Sequence, residues 1–339
     1  MHIQEIDPRD DAAFAAWFAV VEACGQHDRP GEPDYLLHEQ RVISLAGTRP
    51  DADVRCVLLY AREGSDVVGA VRMELPQRDN LHLCELVFCV HPSSRRRGVG
   101  RALAAEVERR VRALGRTTLL SYGDEPPGQP TPNGNRLAAR ALGYELVQQE
   151  VRRDIALPLE PARVRELEAS CRPYAADYTF RTWWDRCPDE LVDDRAELSR
   201  AMSTDIPKDQ MDWREEVWDA ARVRRNETRT AEMDRTFVCA GAVHQPSGRL
   251  VAYTDMGLQR AERRRAYQWD TLVLKEHRGY RLGMLVKLAA LRELTATSPT
   301  TAFISTWNAQ ENGPMIAVNE ALGARTNGRL AVLQKVLKN

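Results

Sequence analysis

Leu83-Cys84-Glu85-Leu86-Val87-Phe88-Cys89-Val90-His91-Pro92-Ser93-Ser94-Arg95-Arg96-Arg97-Gly98-Val99-Gly100-Arg101 is the stretch whose reading decides the fold. Leu83 to Val90 is an apolar run of strand length, Pro92 interrupts it, and beyond the glycines Leu103, Val107, Val111 and Leu114 recur at helical spacing. The stretch therefore predicts a buried strand, an Arg/Gly loop and an amphipathic helix. Successive loop N–H groups converge on the positive end of the helix dipole, an arrangement that binds phosphate. Gly98 and Gly100 let the backbone approach an anion with no Cβ in the way, and Arg95, Arg96, Arg97 and Arg101 add charge and forked donors. The alternative is an arginine-rich, solvated helix start. No GxxxxGK[ST] pattern occurs, and the loop follows the fourth strand, not the first as a dinucleotide-binding fold requires.

Upstream, the pattern predicts a strand at Ile3 to Ile6, helices near Asp11 to Cys24 and Tyr35 to Leu45, and strands at Val54 to Ala61 and Val67 to Leu75 that form a hairpin through Arg62 to Asp66. Downstream lie a short strand at Thr117 to Ser121, a Pro/Gly-rich loop from Gly123 to Gly134, a short helix at Arg136 to Leu142 and a closing strand from Tyr144 to Ala156. Val67 to Leu75 lies over Leu250 to Leu258 at an offset of 183, and the same offset places Gly100 on Gly283 of His277-Arg278-Gly279-Tyr280-Arg281-Leu282-Gly283. Two agreements at one shift imply a duplicated domain. Leu157-Pro158-Leu159-Glu160-Pro161 is the expected linker, which divides the chain into domains 1–156 and 157–339, the second with extra helical material from Pro188 to Arg235.

The balance of 48 Lys+Arg against 49 Asp+Glu opposes a whole-surface nucleic-acid or membrane binder. Seven cysteines in apolar settings without a CxxC spacing read as reduced, buried thiols, and seven scattered histidines oppose a metal site. The expectation is a cytoplasmic protein with no transmembrane segment and no secretion signal.

The strand, Val90-His91-Pro92, Arg95-x-x-Gly98-x-Gly100 and the following helix resemble the acyl-CoA signature of the GNAT superfamily of N-acyltransferases, in the same element order across the first half. The resemblance implies an α+β fold. Each of two tandem GNAT domains would have a mixed, mostly antiparallel sheet flanked by helices, with a splayed strand pair for acyl-CoA. It implies acetyl-CoA or another acyl-CoA as co-substrate, no metal, and a small-molecule amine as acceptor. By resemblance, Arg95, Arg96, Arg97, Gly98, Val99, Gly100 and Arg101 hold the pyrophosphate, and Phe88, Cys89 and Val90 line pantetheine and the acyl group. A backbone N–H near Cys89 or Val90 would polarise the thioester carbonyl.

Glu85-Leu86-Val87-Phe88-Cys89 resembles the glutamate-bearing strand of the histone-acetylating members, which implies Glu85 as general base, and a carboxylate in an apolar strand can be raised toward neutrality by desolvation. The alternative is an ordinary polar residue where the strand leaves the core. Family members often carry a tyrosine as general acid where this chain has Ala139, which leaves Tyr122, Tyr144, water or unassisted departure. In the second copy Arg281 replaces the first motif glycine, Gln268 stands opposite Glu85, Asn319 takes the tyrosine position, and Asp255 or Asp270 is either a base or a strand-edge residue. That copy is expected to bind CoA weakly, not at all or in altered geometry. Trp183-Trp184 either lines an acceptor cleft or anchors a core. A second functional class stays open: a CoA-binding regulatory or scaffold protein with decayed catalysis.

Overall fold

Strands and helices fall where apolar periodicity demands burial. The computed structural model describes all residues except 31, 33, 34, 206–209 and 339. In chain order the first elements are β1 (His2–Ile6), α1 (Asp11–Asp28), α2 (Leu37–Ala46), β2 (Val54–Glu63), β3 (Asp66–Pro76), β4 (Leu83–Val90), α3 (Val99–Ala113), β5 (Thr118–Glu125), α4 (Gly134–Ala141) and β6 (Glu145–Ala156). There follow α5 (Pro161–Cys171), β7 (Tyr178–Trp184), α6 (Val192–Asp205), α7 (Ala220–Glu232), β8 (Arg235–His244), β9 (Arg249–Gln259), β10 (Arg265–Val273), α8 (Leu282–Thr297), β11 (Phe303–Ala309), α9 (Gly313–Ala321) and β12 (Arg325–Val336). The fold is α+β. No helix among the described residues is long and apolar enough to cross a membrane.

The chain forms two compact units, and they do not divide at residue 156. Unit 1 comprises Met1–Gln149, a short segment around Asp212 and everything described from Arg329 onward; unit 2 begins at Glu150 and ends at Gly328. Unit 1 has strand order β1-β2-β3-β4-β5-β12, and unit 2 has β6-β11-β10-β9-β8-β7. Arg329 to Val336 of β12 pair antiparallel with β5, whereas Glu150 to Ala156 of β6 pair antiparallel with β11. Each unit is thus closed by a strand from the other half of the sequence. A repeat offset records which segments are alike, not which edge a strand joins, because any amphipathic strand satisfies the same hydrogen-bonding edge. β5 also runs on to Glu125 through the expected loop, since β12 pairs with it there.

In unit 1, Asp10 caps α1 by accepting from Ala12 N (3.1 Å) and Ala13 N (3.0 Å). The helix then buries Phe14, Trp17, Phe18 and Val21 on one sheet face, with Trp17 Nε1 donating to Val71 O at 3.1 Å. α3 covers the opposite face with Val99, Leu103, Val107 and Val111. Gly69 makes that approach possible: a Cβ there would sit 2.6 Å from Leu103 Cδ1. Unit 2 repeats the plan, with α8 on one face and α6 on the other. Trp183 is a core residue of that second face, and Trp184 Nε1 donates to Glu293 Oε1 (3.0 Å), so the pair anchors the core.

Candidate active site

β4 pairs in parallel with β5 only over Leu83–Leu86 and Thr118–Ser121, and there the two strands part. On its other side β4 stays paired to β3 as far as Val90. His91 N donates to Val68 O (3.0 Å), and antiparallel bonds recur every second residue, so the peptide groups of Cys89, Val87 and Glu85 face β3. Those of Leu86 and Phe88 and the Val90 N–H face the fork, as Ser121 Oγ donating to Leu86 O confirms at 3.4 Å. The free edge is therefore offered by Phe88 and Val90, whose side chains lie on the α3 face. Cys89 turns away: its peptide is engaged with β3 and its side chain packs on the α1 side, where Cys24 Sγ reaches Val90 O at 3.1 Å.

Past the fork, the chain folds into the helix start that its glycines permit. Arg96 and Gly98 both have left-handed backbones, φ 65° and 91°. The N–H groups of Val99, Gly100 and Arg101 precede the first intrahelical bond, Ala102 N to Gly98 O at 3.1 Å. Arg96 and Arg101 are exposed, and Arg97 pairs with Glu63 at 2.8 Å while remaining open to solvent. Arg95 is different. Its Nε donates to Val90 O (3.2 Å), and both terminal nitrogens clasp Asp28, each at 2.8 Å. Desolvation acts to raise the Asp28 carboxyl, but hydrogen bonds from Arg95, His27 and Asn135 outweigh it and hold the group below the usual range. Arg95 is thus a strut between the end of β4 and the end of α1, already neutralised, and not a free phosphate ligand.

At the root of the fork, on the face opposite α3, Tyr122 Oη donates to Glu85 Oε2 at 2.8 Å. Glu85 is half-buried and Tyr122 is 45% exposed, so both can be reached from solvent. Across β3, Glu74 lies opposite Glu85 and is held by Arg72 (3.0 Å), which also donates to Gln40 of α2. The sequence signal for this patch is the polar pair Arg72 and Glu74, two residues apart in an otherwise apolar strand. Tyr144 is excluded as a partner, because it is buried under α3 and desolvation pushes its phenol up.

Unit 2 keeps the backbone and changes the chemistry. Gly279 and Arg281 reproduce the two left-handed positions with glycine and arginine interchanged, φ 90° and 58°. Arg278 repeats the strut, with Nε on Val273 O (3.1 Å) and Nη2 on Asp205 (2.9 Å). β10 and β11 also part, after Arg265–Tyr267 pair with Phe303–Ser305. Gln268, however, does not stand opposite Glu85. A bulge between Gln268 and Thr271 inserts one residue, so Gln268 pairs with Met256 as Leu86 pairs with Met73. Tyr267 therefore occupies the place of Glu85 and Trp307 that of Tyr122, and their rings stack at 6.2 Å. Asp255 is tied to Arg195 (2.6 Å), and Asp270 accepts from Tyr253 Oη (2.9 Å), with burial pushing the Asp270 carboxyl up. Both belong to one buried network, with the Arg195 guanidinium 3.7 Å above the Tyr253 ring.

A sheet that forks beside a left-handed loop and an uncapped helix start is the architecture of the GNAT superfamily of acyltransferases. Residues 15–129 match the acetyltransferase (GNAT) family. The chain is similar to a tandem GNAT protein from the clavulanic acid biosynthesis pathway, solved without acetyl-CoA: 27% identity, TM-score 0.77, covering 100% of this chain and 99% of that one. A GCN5-related N-acetyltransferase from Sphaerobacter thermophilus shares the fold at 14% identity and TM-score 0.64, covering 100% and 96%. So does the glucosamine N-acetyltransferase region of a fungal multi-domain β-N-acetylglucosaminidase, at 12% and 0.65, covering 98% of this chain and 38% of that one. No curated protein matches the chain in sequence.

Proposed function

We propose that unit 1 transfers an acetyl group from acetyl-CoA to the amine of a small metabolite. The observation that carries this is the placement of the Glu85–Tyr122 pair at the root of the fork, beside the free β4 edge. Acetyl-CoA supplies the activated thioester. The Phe88 and Val90 peptides would pair with pantetheine as an added strand and aim one N–H at the carbonyl. The Val99, Gly100 and Arg101 amides, with Arg96, Arg97 and Arg101 around them, would receive the pyrophosphate. Arg95 serves by fixing the end of β4.

Glu85 accepts the proton that an ammonium must lose before nitrogen can attack. Tyr122, already hydrogen-bonded to Glu85, delivers its phenolic proton to the departing sulfur and recovers one from the Glu85 carboxyl, and the second proton that nitrogen sheds as the amide forms leaves to solvent through the freed carboxylate. This fills the role left open by Ala139. The seven free thiols support a cytoplasmic setting, and the likeness to the clavulanic acid tandem protein supports a place in antibiotic biosynthesis.

The test is release of free CoA from acetyl-CoA across a panel of amines. Glu85→Gln and Tyr122→Phe should each lower kcat by about 10²-fold or more with little change in acetyl-CoA affinity. Turnover indifferent to both would remove the pair from catalysis. Binding without turnover for any amine would favour a CoA-binding regulatory protein instead.

A further inference from the structure

Two thiols of unit 1, distant in sequence, meet in the fold. Between Phe88 and Val90, which offer the free edge of β4, Cys89 turns its side chain to the α1 face. Cys24, in the last turns of α1, packs against it there, and the two thiols are in side-chain hydrogen-bond contact. Cys24 Sγ also donates to Val90 O (3.1 Å), the carbonyl that accepts from Arg95 Nε (3.2 Å). Cys24 is 6% exposed and Cys89 is half-buried, so Cys89 is the member of the pair nearer to solvent. Burial pushes the Cys84, Cys187 and Cys239 thiols up. At Cys24 the hydrogen bond with Cys89, joined by the Arg95 guanidinium, outweighs desolvation and pulls the thiol down. Packing alone does not call for sulfur at this place. The matching register puts Leu272 of unit 2 at the Cys89 position, where leucine fills a core. A reachable thiol backed by a second whose thiolate is favoured is the arrangement in which an oxidised sulfur is captured by its neighbour.

We infer that Cys24 and Cys89 are a redox-active dithiol, which hydroperoxides close reversibly into a disulfide between the end of α1 and the end of β4. The Cys89 sulfur attacks one peroxide oxygen, the O–O bond breaks, and the alkoxide leaves as alcohol with the thiol proton, so that Cys89 becomes a sulfenic acid. The Cys24 thiolate then attacks the Cys89 sulfur; the S–S bond forms, the S–O bond breaks, and hydroxide leaves as water with the Cys24 proton. Two thiols thus give two electrons and two protons to the peroxide, which ends as one alcohol and one water. Low-molecular-weight thiols restore the pair by two exchange steps and become a disulfide themselves. Closure takes the Cys24 hydrogen away from Val90 O and draws Cys89 toward α1, between the two residues whose peptides form the free edge. Oxidation should therefore weaken acetyl-CoA binding, a consequence that rests on the reading of unit 1 given above, whereas the disulfide itself does not.

The experiment treats the full-length protein with hydrogen peroxide, alkylates the remaining thiols in denaturant and measures the mass. Wild type should lose two of its seven alkylations, peptide mapping should join the segments that hold Cys24 and Cys89, and dithiothreitol should restore all seven. Cys24→Ser, with Cys24→Ala in case the first fails to fold, should form no such bridge and should leave Cys89 as a sulfenic acid that dimedone traps. Isothermal titration should show the acetyl-CoA Kd raised about 10-fold or more by oxidation of wild type, restored by dithiothreitol, and steady in the Cys24 variants. Seven alkylations after peroxide, or a bridge between other cysteines, would overturn the dithiol. A Cys24–Cys89 bridge with unchanged Kd, or a Kd shift that survives in the Cys24 variants, would overturn its effect on the β4 edge. Reduced wild type that binds no acetyl-CoA would instead overturn the reading of unit 1, with the mass measurement still deciding the dithiol.

Discussion

Replacing Lys287 by methionine should make the stability of unit 2 depend less on pH, by an amount the burial allows one to calculate. The ammonium titrates near 10.5 when the chain is unfolded and near 7 in the fold, with desolvation as the cause. A depressed pKa means that the unfolded chain binds the proton better, so stability is fully present above about pH 10.5 and is lost as pH falls toward 7. At ~1.4 kcal/mol per unit, wild type should lose about 2 kcal/mol between pH 9 and pH 7, and only a few tenths more by pH 6. Lys287→Met removes this loss. The absolute offset also contains the acceptors left on Gln268 and Asn319, at about 1 to 3 kcal/mol each, so the slope with pH is the informative quantity. Urea unfolding followed through the unit 2 tryptophans at pH 6, 7, 8 and 9 would measure it. Stability curves for wild type and variant that run parallel across pH 7 to 9 would show that no proton is displaced on folding, and the charge argument for Lys287 would be wrong.

Further expectations concern unit 1 and the two loops. Asp28→Asn should destabilise unit 1 by about 2 kcal/mol, a difference seen at neutral pH that shrinks as pH falls from about 4 through the lowered folded-state pKa, where the wild-type carboxylate is finally protonated in the fold too; a pH-independent difference would contradict the Arg95 strut. Gly98→Ala should cost about 1 to 2 kcal/mol through its positive φ, whereas Arg281→Gly should raise the melting temperature, since both positions hold the same left-handed backbone. Opposite outcomes in thermal denaturation would show that the loops are not equivalent. Trp17→Ala should cost about 3 to 5 kcal/mol in chemical denaturation, given complete burial and the bond to Val71 O.

The strand, loop and helix of residues 83–114 could be read from the chain because each carries a local cause: apolar continuity, a glycine at a left-handed position, and a 3.6-residue apolar period. What escaped depends on distant partners. Arg95 looks like its neighbours in sequence, yet Asp28, 67 residues away, takes its charge; the identity of its partner is a property of the fold, not of the loop. The exchange of β6 and β12 was hidden because strands carry no address for their edge, and the bulge after Gln268 because one inserted residue leaves the offset of 183 intact on both β9 and the end of β10. That bulge explains how the units diverged. By sliding the root of the fork one residue, it replaces the carboxylate at the Glu85 place with Tyr267 and turns Gln268 toward α8, where Lys287 donates to it. The paired backbone stays the same while the side chains at the fork pass from the Glu85–Tyr122 hydrogen-bonded pair in unit 1 to the buried amine of Lys287 in unit 2. A duplicated sheet can acquire a second kind of site this way, because one residue of register changes every contact on a face without disturbing the ladder on either side.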